Sequence, residues 1–166
     1  MCLERIIAGC LLSASAFGSV PITDKNWVSH PEIRTIRGIY AEVNSAEKTG
    51  KLKKESRKCV LHGGSFEIDG ALYRDTNGVI RKYMVTAGSG DSIGTAEYYF
   101  DKKGVLRFTY RTRGASNGTK KQDRIYFDST GRHLYTNHKE EGPGYPGSEL
   151  EEKVDNPVAD MANLCK

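Results

Sequence analysis

Ser92 and His62 are the residues whose surroundings come nearest to those of catalytic groups. Ser92 follows the pair Gly90-Asp91, and His62 precedes two glycines. A nucleophilic serine needs a base that takes its proton and donors that stabilise the oxyanion. The C-terminal part of the chain has no Asp-x-x-His that could supply the base. We therefore interpret both segments as connections between strands and predict no catalytic residue. A small secreted hydrolase that uses Ser92 or His62 is the alternative function.

Metal ligands are not grouped in this sequence. Residues 75–78 (DTNG) match part of a calcium loop, but they lack the remaining ligands and the terminal glutamate. The histidines share no repeated spacing: they are His30, His62, His133 and His138. The sequence therefore predicts no metal site and no cofactor.

Cys59 and Cys165 are the two cysteines that remain if an N-terminal signal is removed. An even pair in an exported chain is most simply a disulfide, and a buried free thiol is the alternative. The bond would close a loop of about a hundred residues. On the chain-entropy model it would contribute up to ~4.7 kcal/mol. Neither cysteine has a partner at zinc-ligand spacing, so we predict a disulfide between them.

The N-terminus has the pattern of an export signal. Residues 6–16 (IIAGCLLSASA) form a short apolar run that ends in small residues. Such a run is typical of a secretory signal peptide cleaved after Ala16, and it is too short to span a bilayer. Residues 7–10 (IAGC) also match a lipoprotein cleavage site, which would make Cys10 a lipidated N-terminus. We therefore expect an exported protein, periplasmic or secreted, with no transmembrane segment after signal removal.

The composition of the 166-residue chain is that of a single globular domain. Hydrophobic residues make up 37% and charged residues 28% of the chain, which excludes a disordered or membrane-embedded class. The net charge of +4 is mild and, with the expected export, favours no nucleic-acid partner. We predict a signal peptide at 1–16, an extended leader at 17–30 and a single α+β domain at 31–166.

One short phrase occurs three times, at residues 73–78 (YRDTNG), 99–104 (YFDKKG) and 126–131 (YFDSTG). In each phrase the aspartate can hydrogen-bond the backbone two residues further on. The glycine can adopt the left-handed angle that closes a type I turn with a bulge. The sequence therefore predicts three Asp-x-x-Gly hairpins, which form an antiparallel β-meander of about six to seven strands.

The second phrase and the residues after it, 99–106 (YFDKKGVL), resemble the YD repeats of large bacterial secreted proteins. Those repeats also build hairpins around Asp-x-x-Gly turns. The likeness covers three short stretches of the chain, and it implies shared turn chemistry rather than shared ancestry.

An amphipathic helix precedes the repeats. Ser29 is expected to cap it, with Pro31 and Glu32 in the first turn, and Gly50 is expected to end it. Four apolar residues recur at helical spacing: Ile33, Ile36, Tyr40 and Val43. We predict that this stripe packs on one face of the sheet.

The predicted strand register divides the side chains between the two faces of the sheet. Around the second turn it pairs Tyr98 with Phe108, which puts apolar residues under the helix. The other face then receives tyrosines and arginines, which are enriched at binding hot spots but also stabilise ordinary solvated sheets. The predicted binding residues are Tyr73, Arg81, Tyr83, Tyr99, Arg107, Arg111, Arg124 and Tyr126.

These features together predict a function in binding. We expect an exported small binding protein that contacts another protein or an envelope component through an open Tyr/Arg sheet face. An inhibitor, an immunity-type protein or an accessory protein of the cell envelope would fit this description.

Overall fold

A computed structural model describes residues 20–144 and 151–166 of the chain. The predicted signal peptide, Cys10 and the first part of the predicted leader lie outside the described residues. Within them the chain forms one seven-stranded antiparallel sheet and two α-helices, which confirms the predicted α+β class and the antiparallel meander. None of the described helices combines the length and the apolar character that a membrane span requires.

The strands lie side by side in the order in which they occur in the sequence. Their bounds are β1 Lys53–Leu61, β2 Phe66–Arg74, β3 Ile80–Ser89, β4 Ser92–Phe100, β5 Leu106–Ala115, β6 Lys120–Phe127 and β7 His133–Glu141. A short 3-10 turn, His62–Gly64, connects β1 to β2. The edge strand β1 exposes Lys53, Lys54 and Lys58, which discourages pairing with other chains.

Three aspartates close the turns at one end of the sheet. Between β4 and β5, the Asp101 N–H donates to the Val105 carbonyl at 3.0 Å, and its Oδ1 accepts the N–H groups of Lys103 and Val105. Gly104 has a φ of 78°, a conformation that a residue with a Cβ rarely adopts. The turns at Asp75 and Asp128 repeat these contacts.

The strand register differs from the predicted one because a β-bulge follows each of these turns. Tyr99 lies opposite Phe108, and Arg107 is the extra residue of β5. The predicted pairing of Tyr98 with Phe108 is therefore wrong, since one extra residue moves the whole remaining strand to the other face. Arg81 and Leu134 are the extra residues of the first and third hairpins.

Because of the bulges, both faces of the sheet carry large apolar side chains. One face, here called the α1 face, presents Tyr99, Phe108 and Tyr126 to the first helix. The opposite face, here called the α2 face, carries a separate core cluster. That cluster contains Leu72, Tyr83, Val85, Ala96, Tyr98, Phe100, Leu106, Ile125 and Phe127. Each face therefore needs its own cover.

Helix α1, Pro31–Lys48, covers the first of these faces through the buried residues Ile33, Ile36 and Val43. Its N-terminus is capped by His30, whose Nδ1 accepts the Glu32 N–H at 3.3 Å. Ser29, the predicted cap, instead donates its hydroxyl to the preceding turn, so that prediction is wrong. The helix ends before Gly50, which adopts a φ of 68°.

The C-terminal segment covers the other face with the short helix α2, Pro157–Asn163. Asn156 caps this helix by accepting the Ala159 N–H at 3.0 Å. The predicted disulfide between Cys59 and Cys165 is confirmed, and it ties the end of the chain to β1. The C-terminal segment therefore forms a further layer of the fold, on the opposite side of the sheet from α1.

Candidate functional site

The tyrosines predicted to form an open face are buried. Tyr73, Tyr99 and Tyr126 lie on the α1 face and expose 5%, 0% and 1% of their surface. Tyr83 lies on the α2 face, where its hydroxyl donates to Asp160 of α2. The expectation of an open Tyr/Arg face is therefore wrong, because the bulges distribute the tyrosines over two faces and each face has a cover.

Two of the predicted binding arginines, Arg81 and Arg107, hold the hairpins together. The Nε of Arg81 donates to the Phe100 carbonyl at 3.2 Å, and the Nε of Arg107 donates to the Phe127 carbonyl at 3.3 Å. Arg107 also lies 3.4 Å from Asp101 in its own turn. Both arginines are buried, so neither is available to a partner.

A third predicted arginine, Arg111, belongs to an ionic network on the α2 face. Its guanidinium donates to Asp123 at 2.7 Å and lies 3.3 Å from Glu152 of the C-terminal segment. The other oxygen of Asp123 lies 2.5 Å from the Nδ1 of His138. Arg111 and Asp123 are buried together, so this network joins β5, β6, β7 and the C-terminal segment.

Beneath the last turns of α1 lies a buried lysine, Lys82. Its Nζ lies 2.9 Å from Glu47 and 3.4 Å from Glu97, between the rings of Tyr73 and Tyr99. Burial, together with the nearby Glu47 carboxylate, raises the pKa of Tyr73 to about 12. These two tyrosines thus serve as ring partners of a structural cation.

Arg124 is the one predicted binding residue that retains solvent access, since the other seven are buried. It lies at the rim of a pocket of about 230 Å³ between α1 and strands β5 and β6. We call this site the Tyr/Arg pocket. Its lining residues are Arg37, Tyr40, Phe108, Tyr110, Arg124 and Tyr126.

Helix α1 and the strand pair β5–β6 position the rim of the Tyr/Arg pocket. Arg37 and Tyr40 are one turn apart on α1, so they point to the same side of the helix. Tyr110 and Arg124 are direct cross-strand partners on β5 and β6. Arg37 and Tyr40 are both exposed, Tyr40 by 38%. The pocket is therefore accessible from outside.

Aromatic rings form the floor of the Tyr/Arg pocket and support both of its arginines. Phe108 and Tyr126 pack with their ring centroids 4.9 Å apart. The Arg37 guanidinium lies 5.7 Å from the Trp27 ring, and that of Arg124 lies 5.6 Å from the Tyr110 ring. Stacking restrains the guanidinium planes without using their N–H groups.

The Tyr/Arg pocket is positively charged. Burial raises the pKa of the Tyr126 hydroxyl. The positive charges of Arg37 and Arg124 lower this pKa and so partly offset the effect of burial. Within residues 20–144 and 151–166, neither arginine forms an ion pair with a carboxylate, and the Tyr126 hydroxyl has no hydrogen-bond partner. The two guanidiniums and the Tyr126 hydroxyl thus line one small pocket, and neither guanidinium is paired with a carboxylate of the described residues.

Sequence reasoning identified Arg124 and Tyr126 but missed the rest of this pocket. Tyr40 was assigned to the apolar stripe of the helix, whereas Arg37 was not considered. The sequence did contain a signal for Arg37. This residue lies one helical turn before Tyr40, at the border of the apolar stripe of the helix. Tyr110 is not among the predicted binding residues, although it lies opposite Arg124 on the α1 face.

A second, larger cavity of about 410 Å³ lies between the α2 face and the C-terminal segment. Ala87 and Gly94 lie opposite each other on β3 and β4. Because their side chains are small or absent, the space above this part of the sheet stays unfilled. Its size is typical of ligand pockets. Its charged lining combines Arg111, Arg113 and Lys121 with Asp91, Asp123, Glu151 and Asp160. Because both signs are present, the lining does not favour a ligand of either charge.

The described contacts do not assemble a catalytic group around Ser92 or His62. The Ser92 hydroxyl lies 3.4 Å from the hydroxyl of Ser89, in the connection between β3 and β4. His62 belongs to the 3-10 turn between β1 and β2. No cluster of metal-ligating side chains occurs in the part of the chain that the structure describes.

No protein-family model, curated protein or solved structure matches this chain.

Proposed function

We propose that the protein is an exported small binding protein: an inhibitor, an immunity-type protein or an accessory protein of the cell envelope. In this proposal, the Tyr/Arg pocket binds an acidic group of another protein. The observation that carries this proposal is that Arg37, Arg124 and Tyr126 line one pocket, in which neither arginine is paired with a carboxylate among the described residues. Arginine and tyrosine dominate binding hot spots because they combine a large contact area with directed hydrogen bonds.

The disulfide supports the exported part of the proposal. Cys59 and Cys165 are bonded in the structure. Such bonds persist in oxidising compartments and are rare in the reducing cytosol.

A pull-down from native envelope or culture fluid tests the proposal. The bait is the wild-type protein, compared with the double variant Arg37→Glu/Arg124→Glu. The matched control is Arg34→Glu/Lys103→Glu, which changes the net charge by the same amount at two exposed positions. Near-ultraviolet circular dichroism checks that each bait is folded.

We expect the wild-type and control baits to retain a partner that the pocket variant loses. Reversing both pocket charges replaces attraction of an acidic group by repulsion. Capture of the same partner by all three folded baits would contradict the proposed contact surface.

A further inference from the structure

We propose that the group bound in the Tyr/Arg pocket is a glutamate side chain of the partner, with its carboxylate held by Arg37, Arg124 and the Tyr126 hydroxyl. This inference rests on the proposed function and specifies the chemistry of the same pocket. The alternatives that it excludes are a phosphorylated group and a neutral amide.

The available donors suit a carboxylate. Two guanidiniums and one hydroxyl supply N–H and O–H donors, and a carboxylate has two oxygens that accept four or more hydrogen bonds. Arg37 and Arg124 are each stacked on a ring, at 5.7 Å from Trp27 and 5.6 Å from Tyr110, so their polar edges remain available. Little side-chain entropy would then be lost on binding.

Two described carboxylates on this side of the sheet, Glu97 and Asp24, are engaged elsewhere. Glu97 lies 3.4 Å from Lys82 and accepts from the Tyr99 hydroxyl. Asp24 accepts from the Tyr135 hydroxyl at 2.7 Å. Neither acid forms an ion pair with the pocket arginines in the described chain. Neither of these two acids therefore takes the place of an incoming anion in the pocket.

The burial of Tyr126 and the lining of the pocket favour a glutamate over a phosphorylated group. Tyr126 is 1% exposed, so an anion that reaches its hydroxyl must enter the pocket between the other lining side chains. Phe108 and Tyr110 beside it offer apolar surface to methylene groups. A phosphate carries three strongly hydrated oxygens, and aromatic walls could not satisfy those that the arginines do not reach. A volume of about 230 Å³ accommodates a single side chain.

The test uses N-acetyl-glutamate α-amide as the probe, with N-acetyl-glutamine α-amide as its neutral isostere and inorganic phosphate as the competing anion. Trp27 is the single tryptophan of the chain and stacks on Arg37, so its fluorescence reports on the pocket. Backbone amide NMR spectra provide a second readout and show that each variant is folded.

We expect saturable binding of the glutamate probe with a dissociation constant of roughly 1 mM, because only one side chain is presented. Arg37→Gln and Arg124→Gln should each weaken it about tenfold, as expected for the loss of a charged hydrogen bond. Tyr126→Phe should weaken it by a smaller factor, and the exposed control Arg34→Gln should leave it unchanged.

Any of three results would overturn the glutamate assignment. The glutamine analogue could bind as tightly as the glutamate probe, phosphate could bind more tightly than that probe, or Arg34→Gln could weaken its binding as much as Arg124→Gln. If the probe does not bind although a partner is captured through Arg37 and Arg124, the assignment fails and the binding function stands. If the probe binds as expected but no captured partner depends on these arginines, the carboxylate site stands and the proposed protein partner fails.

Discussion

Arg107 on β5 donates from its Nε to the main-chain oxygen of Phe127, the last residue of β6, at 3.3 Å. Arg81 makes the same contact with Phe100, one hairpin earlier in the chain, at 3.2 Å. In both cases the arginine is the extra residue of a bulge and reaches the strand end before the next turn. The third hairpin has Leu134 at this position, and its second strand, β7, lies at the edge of the described sheet.

Replacing Arg107 by methionine should destabilise the sheet. The Arg107→Met substitution keeps much of the side-chain volume but leaves the Phe127 carbonyl without its donor and Asp101 without its buried cation. We expect the free energy of unfolding to fall by about 2–4 kcal/mol. Urea denaturation followed by circular dichroism measures this loss.

Arg132→Met is the matched control for Arg107→Met. Arg132 also pairs with a turn aspartate, Asp128 at 2.9 Å, but its side chain is 81% exposed. Exposed pairs contribute up to about 1 kcal/mol, so this control should lose much less stability than Arg107→Met. If both variants lost the same free energy of unfolding, the buried contact with the Phe127 carbonyl would contribute no more to stability than the exposed ion pair.

Gly70 allows α2 to approach the sheet. A Cβ at this position would lie 2.7 Å from the Met161 sulfur and 2.8 Å from a methyl carbon of Leu164. Gly70→Ala should therefore displace α2 and lower the free energy of unfolding by about 1–3 kcal/mol. Faster hydrogen exchange of the α2 amides would locate the effect.

Gly114→Ala provides the comparison for Gly70→Ala, since no atom lies within 4 Å of the added Cβ. Alanine is intrinsically favoured over glycine inside a strand, so Gly114→Ala should be neutral or stabilising. The role assigned to Gly70 requires that Gly70→Ala lowers the free energy of unfolding and that Gly114→Ala does not.

The disulfide should contribute a large part of the total stability. It joins Cys59 and Cys165, which are 106 residues apart. The double variant Cys59→Ala/Cys165→Ala should lose about 2–5 kcal/mol of unfolding free energy, and reduction of the wild-type protein should give a similar loss. Denaturant titrations of the oxidised protein, the reduced protein and the variant test this expectation. A reduced wild-type protein as stable as the oxidised one would refute it.

The His138–Asp123 contact should make stability depend on pH. The hydrogen bond to Asp123, assisted by Glu140, raises the pKa of His138 above its ordinary value of 6.5. Because the folded-state pKa is the higher one, the contact stabilises the fold fully below pH 6.5, and this stabilisation is lost as the pH rises through the folded-state pKa. NMR titration of the His138 ring should give a pKa above 6.5.

Unfolding measurements across the same pH range provide the second check on His138. The His138→Gln variant should lose less stability between pH 6 and pH 9 than the wild-type protein, since its side chain does not titrate. A ring pKa at or below 6.5, or identical pH profiles of the two proteins, would contradict the assigned contact.

The candidate site could be predicted only in part. Of the predicted binding residues, Arg124 and Tyr126 line the Tyr/Arg pocket. Arg37 could not be joined to them from the sequence, because it lies on a helix some ninety residues earlier in the chain. Its distance from Arg124 is set by the way in which α1 crosses the sheet, and that is a property of packing.

Local chemistry in the sequence determined the strand-rich class, the antiparallel meander and the cysteine pair, because alternating residues, turn residues and cysteine count act over short stretches or by simple pairing. The tertiary structure decided which side chains share a face. The extra residue Arg107 moves every following side chain of β5 to the opposite face of the sheet. This register is stabilised because both faces are then covered, one by α1 and the other by the C-terminal segment.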